Sequence, residues 1–138
     1  MRYLLAAILI AVLVGGIYFY KEFTRKPADL NKSDAVEFVT ASELTALYSN
    51  YEDSANKKYA GKIIEVSGTV LNIENQQDTL FSIFLGDTLQ TARVSCLLEK
   101  NSIITAKKIV RGDFIRIKGI CTGYLMDVEL NRCVLVKH

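Results

Sequence analysis

Apolar and polar positions divide this chain into three regimes. From Tyr3 to Tyr20 no side chain is charged. At about 1.5 Å per residue that run makes a helix of roughly 27 Å, close to the ~30 Å hydrocarbon layer of a bilayer. Tyr3 lies at one edge and Tyr18, Phe19 and Tyr20 at the other, and Lys21, Arg25 and Lys26 end the run. Aromatic rings favour the headgroup layer, so the pattern predicts one transmembrane helix over 3–20 within an anchor of residues 1–23. A cleaved signal peptide would carry small residues at its cut site, where "GGIYFYK" places bulky rings. Residues 24–38 hold the only proline, Pro27, among charged and small polar side chains, and read as a tether.

From Thr40 the period changes to that of a helix. Thr40 and Glu43 stand in S/T-x-x-E spacing, in which hydroxyl and carboxylate satisfy orphan amides reciprocally. Val39 and Leu44 occupy the staple positions. Leu44, Leu47, Tyr48, Tyr51 and Ala55 recur at spacings of three and four, which predicts an amphipathic helix over 40–55.

Beyond it the alternation is that of strands. "KIIEVSGTVLNIE", "TLFSIFLGD", "QTARVSCLLE", "FIRIKGICTG" and "DVELNRCVLVK" are five strand candidates, with the connector "NSIITAKKIVRGD" between the third and fourth. Gly68 and Gly119 interrupt good strands and mark a sharp bend or a close backbone approach, as a small closed barrel requires. Five strands with an insertion after the third is the order of an OB-fold. The fold class is therefore mainly β: an OB-fold domain over 39–138, made of a leading amphipathic helix at 40–55 and a five-stranded barrel, plus one N-terminal transmembrane helix.

The motifs "Y-x-G-K-x-I-x-V-x-G-x-V" at 59–70, "V-x-C" at 94–96 and "G-D-x-I-x-I-K-G-x-C-x-G-Y-L-x-D-V-x-L-x-x-C" at 112–133 resemble the tRNA-anti-like family of small bacterial OB-fold proteins. The resemblance spans roughly Thr40 to Lys137 and is most specific in its last third. It implies the fold, often behind a membrane or lipoprotein signal, and leaves function open. The lipidation cysteine of the lipoprotein members is missing here.

With 138 residues, the chain accommodates one domain and an appendage. Its net charge of +2 predicts no nucleic-acid partner by itself. Lys and Arg are more numerous after the span than before it, which would keep the domain cytoplasmic. The very short tail with Arg2 resembles a secretory n-region instead. We expect a single-pass protein of the cell inner membrane, its partner there the lipid bilayer, with the domain in the periplasm.

The candidate chemistry is sparse. Nucleic-acid-binding OB domains use the middle strands and the first and last hairpin loops. Here those loops hold Glu74, Asp78 and Asp127 and no base. Phe84 and Arg93 lie on the middle strands as one stacking and one phosphate contact, or else as a core ring and an ordinary surface charge. The absent basic footprint favours the second reading and disfavours nucleic acid. Lys107, Lys108 and Arg111 form a cluster on the connector, a solvated face or a contact for anionic headgroups.

The sole histidine is His138, and Asp127 and Glu129 share a strand face beside a turn. The expectation is a non-enzymatic binding module with no catalytic residue, metal or cofactor. Its partner would be a protein, peptide or small ligand. Tyr124, with Leu125 and Met126, is the best surface anchor, unless the ring folds back over the barrel end. The alternatives are a single-stranded nucleic-acid binder and a structural component of a membrane complex. Cys96, Cys121 and Cys133 fit a core, while Cys121 and Cys133, on hairpin neighbours, are the possible disulfide.

Overall fold

The capping box fixes where the first helix begins. Thr40 is extended (φ −82°, ψ 153°), and its Oγ1 accepts from the Glu43 amide at 3.2 Å. Its own amide donates to Glu43 Oε2 at 3.1 Å. Helix α1 (Ala41–Tyr59) follows, ending four residues later than the periodicity predicts, because Tyr59 continues the buried stripe from Ala55. Leu44, Tyr48, Ala55 and Tyr59 face inward. Tyr51 does not: its backbone leaves the helical region (φ −144°, ψ 56°), and its ring is 67% exposed, with Leu47 partly exposed beside it. Two of the five residues that spacing places on the apolar stripe, Leu47 and Tyr51, are thus on the surface.

This computed structural model describes residues 13–18, 20, 30, 34, 35, 37–76, 80–89 and 91–136. Most of the span expected at 3–20, and most of the tether, lie outside the described residues. Residues 13–18 and 20 are helical. Among the described residues no helix is long and apolar enough to cross a membrane.

Ahead of α1 lies a strand that the alternation does not predict: β1 (Glu37–Thr40) starts inside the stretch read as linker. The five expected strands follow as β2 (Ile63–Gln76), β3 (Leu80–Gly86), β4 (Val94–Leu98), β5 (Phe114–Tyr124) and β6 (Val128–Leu135). The connector after β4 forms α2 (Lys100–Ala106). Strand order is β1-β2-β3-β4-β6-β5, and an antiparallel β2–β5 ladder from Ile63↔Ile120 to Thr69↔Phe114 closes the sheet. The β4–β6 pairing is parallel. The result is the five-stranded closed barrel of the OB type with one strand added. That strand has a physical reason. Strand β3 pairs only with the later half of β2, from Thr69 onward, so the edge of Ile64–Ser67 is open to β1, which joins it in parallel.

Inside, Ile64, Val66, Ile83, Val94, Ile117 and Leu130 fill the barrel, with α1 touching every strand and Ile103 and Ala106 of α2 joining the core. Gly68 and Gly119 sit directly under neighbouring side chains. A Cβ on Gly68 would lie 2.9 Å from Ala41 Cβ, and one on Gly119 would lie 2.5 Å from Cys133 Sγ.

Loss of the cap is a moderate perturbation. Thr40→Ala should cost about 1 kcal/mol, read as a lower midpoint in urea unfolding, and an unchanged midpoint would remove the cap from the account. The hydrogen bonds from Thr40, backbone first, hold the Glu43 carboxyl below its ordinary value. Its stabilisation is therefore complete above the usual glutamate range and is lost as pH falls through the lowered value.

Candidate functional site

Cross-strand register sets the outer face of the barrel. Asn72 of β2 lies opposite Phe84 of β3, Phe84 opposite Ser95 of β4, and Ser95 beside Glu129 of β6. Neighbours across a ladder share a face, so Phe84 points outward while Ile83 and Leu85 point in. Yet Phe84 is only 8% exposed. The Arg93 guanidinium covers it, 4.6 Å from the ring centroid.

Asp127, from the β5–β6 loop, holds that guanidinium in place. Arg93 donates from Nη2 to Asp127 Oδ2 at 2.8 Å and from Nε to Oδ1 at 3.4 Å. The Arg93 amide also donates to Oδ1, at 2.9 Å. Phe84 is therefore neither barrel core nor an open stacking ring, and Arg93 is not an ordinary surface charge. Together they form a layered pair whose positive charge is matched by Asp127. The residues around it add carboxylates, since Glu74 and Glu129 are exposed. A cleft of about 400 Å³ beside the pair is lined by Leu71, Asn72, Asp87, Thr88, Arg93 and Arg111. Lys107 and Lys108 are exposed on the connector.

Tyr124 is not the surface anchor of its loop. It is half-buried and stacks on Tyr48 of α1, with ring centroids 5.7 Å apart and an interplanar angle of 26°. The ring closes the barrel against the helix, and Leu125 and Met126 alone are exposed, at 80% and 85%. Asp127 serves Arg93 and Glu129 faces solvent, so the two carboxylates form no shared acid–base site. His138 lies outside the described residues.

The three cysteines are free and buried. The disulfide considered for Cys121 and Cys133 is not formed, and register gives the reason. Cys121 lies opposite Leu130, whereas Cys133 lies over Gly119, two residues away along β5. Cys121 Sγ instead lies 3.3 Å from the Tyr48 hydroxyl, and Cys133 donates to the Leu130 carbonyl. Burial pushes the Cys121 and Cys133 thiols up, and Cys96 beside Cys133 adds to its shift. Neutral, enclosed thiols are poor nucleophiles and poor metal ligands. Among the described residues no three Cys, His, Asp or Glu side chains converge.

An apolar concavity lies elsewhere, between β1 and α1. It measures about 510 Å³, and Phe38, Leu47 and Tyr51 line it with Val39, Ala46 and Tyr59. Sequence reasoning missed it because the helical spacing assigns Leu47 and Tyr51 to the core. The one available signal was Phe38, a large ring in a polar stretch.

Comparison with known proteins bears on this architecture. The family model described as tRNA_anti-like matches residues 1–135. Among solved structures the chain is similar to a candidate nucleic acid-binding lipoprotein from Klebsiella pneumoniae, at 17% identity and TM-score 0.59. That match covers 81% of this chain and all of the other. Weaker likenesses include the Entamoeba histolytica asparaginyl-tRNA synthetase, at 17% identity and TM-score 0.44 over 56% of this chain and 21% of that one. A replication factor A-related protein of Methanobacterium thermoautotrophicum matches at 19% identity and TM-score 0.42, over 57% and 87% of the two chains. No curated protein matches. At these identities the Klebsiella likeness speaks for the fold.

Proposed function

The chain belongs to the tRNA_anti-like family, and from that membership we propose that it is a non-enzymatic binding module whose partner is a protein or peptide. The uncharged run over 3–20 holds it at the inner membrane, with the barrel exported to the periplasm. The observation that carries this reading is the Arg93–Asp127 pair. Binding to a phosphate backbone draws its affinity from cations that release counterions. On the barrel face the central cation is already matched by a carboxylate at 2.8 Å, with Glu74 and Glu129 nearby. An apolar concavity of about 510 Å³ lies away from that face, and apolar concave surfaces suit protein segments.

One observation favours a second reading, a single-stranded nucleic-acid binder. Arg93 rests on Phe84 with its side chain 39% exposed, and Arg111 lines the same cleft. A base stacking on the guanidinium plane, with its phosphate near Arg111, is chemically reasonable. The Klebsiella lipoprotein bears a nucleic-acid-binding name, which accords with this alternative.

A fluorescent single-stranded oligonucleotide titrated against the full chain in detergent separates the two. We expect no binding that weakens with salt. Affinity falling with a slope of about −0.7 per neutralised phosphate, and lost in Arg93→Ala, would install the second reading. In cells, a reporter fused after His138 should be active only in the periplasm, and cytoplasmic activity would refute the proposed orientation.

A further inference from the structure

We propose that the groove between β1 and α1 receives an extended segment of a partner protein, which joins the sheet as a strand alongside β1. This rests on the reading of the chain as a protein- or peptide-binding module and names the site and the form of its ligand.

The first support is a strand edge. Among the described residues β1 has only β2 as a neighbour. The Thr40 amide donates to Glu43 rather than to β2. Backbone groups in a strand alternate sides residue by residue, so Phe38, two positions earlier, also turns its N–H and C=O away from β2. An unpaired donor and acceptor on an edge strand is a template for an incoming backbone.

The second support is what faces that edge. Phe38 is 71% exposed, Tyr51 67% and Leu47 38%, and all three line one concavity with Ala46 and Tyr59. The break at Tyr51 aims its ring outward instead of into the barrel. A strand edge set against an apolar helix flank is the arrangement in which extended peptides add by main-chain bonds and are selected through alternate side chains.

Charge narrows the ligand further. Of the ionisable groups on the rim, Lys58 is bound to Glu37 at 2.7 Å. That pair is neutral as a unit and leaves Glu43 as the uncompensated charge. Thr40 keeps the Glu43 carboxyl ionised, and Glu52 and Asp53 are exposed on the same helix, with Lys57 beyond them. The segment that fits is extended and apolar at alternate positions, with a lysine or arginine near Glu43.

The test selects peptides from a random display library on the full chain in detergent, then measures the best of them by fluorescence anisotropy. The inference expects alternating apolar residues with a basic one. Phe38→Glu and Tyr51→Glu should each weaken binding about tenfold or more, and Glu43→Lys should weaken it several-fold. Both glutamate changes fall on exposed rings, and an unchanged thermal midpoint confirms that the domain stays folded. N-methylation of alternate peptide amides should abolish binding, while methylation of the intervening ones is tolerated.

Selected peptides indifferent to Phe38→Glu and Tyr51→Glu would overturn this site and leave the peptide-binding reading standing. Indifference to N-methylation would overturn strand addition. A library that yields nothing would overturn both. Sedimentation showing a dimer dispersed by Phe38→Glu assigns the groove to a second copy, and competition by phosphatidylglycerol vesicles assigns it to a lipid surface; either result refutes the inference.

Discussion

Tyr48→Ala is expected to lower the stability of the domain by about 4 kcal/mol, the range for deleting a buried aromatic ring. Tyr48 is 1% exposed and joins α1 to β5. Its ring stacks on Tyr124 at 5.7 Å, lies 6.5 Å from Tyr59, and carries its hydroxyl to 3.3 Å from Cys121 Sγ. Truncation would leave a cavity where α1 meets β5, and neither neighbouring ring can collapse into it without leaving the barrel. For a domain of this size the midpoint of thermal unfolding should fall by roughly 15–30 °C. Tyr48→Phe keeps the ring and gives up only the contact with a sulfur, at a cost of about 1 kcal/mol. A loss under 1 kcal/mol in the alanine chain would show that α1 is held by something else.

The hydroxyl also titrates with a definite sign. Burial, helped by the Cys121 thiol, pushes it well above the ordinary tyrosine value. Its contribution is intact below that ordinary value and declines as pH climbs toward the raised one.

Gly119→Ala should be nearly as damaging, at about 3 kcal/mol, the upper part of the range for overpacked cores. The added methyl would lie 2.5 Å from Cys133 Sγ and 3.3 Å from both the Asn131 carbonyl and Leu130 Cβ. Two of those neighbours belong to backbone-fixed positions, and Cys133 is fully buried with its thiol bonded to Leu130 O. Relief must come from removing the sulfur. In the double variant Gly119→Ala/Cys133→Ala, stability should recover by at least about 1 kcal/mol over additivity, as for residues in direct contact. Denaturant melts of the four chains supply the cycle, and strict additivity would sink the steric account.

These glycines show how far the pattern of the chain could be read. Each interrupts an alternating strand, and each turns out to lie under another residue's side chain. The capping box was equally legible, because Thr40 and Glu43 sit three residues apart and the chemistry is local. The five strands came from alternation for the same reason. What spacing could not supply were features decided by distant partners. Strand β1 exists because β3 leaves half of β2 uncovered, and nothing in "EFVT" alone states that. Tyr51 follows the helical period and is turned outward by a break in the backbone. Arg93 and Asp127 stand 34 residues apart in the chain, so their pairing, and the cover over Phe84, emerge only once the loop closes. The cysteine pair failed on register: the β5–β6 ladder sets Cys121 opposite Leu130 and brings Cys133 over Gly119 instead.

The parallel pairing of β4 with β6 has a consequence for how the chain is made. The ribosome delivers residues in order, about 5–20 each second. Strands β2, β3 and β4 are out early, but β5 must arrive to close on β2, and β6 must arrive to join β4. Until then the pairings that close the barrel have no second strand to form with. Throughout that interval Leu44, Tyr48 and Tyr59 have no completed surface on which to settle. Only β6, ending at Leu135, can then join β4 on one side and β5 on the other, so the barrel closes in one late event rather than by gradual growth.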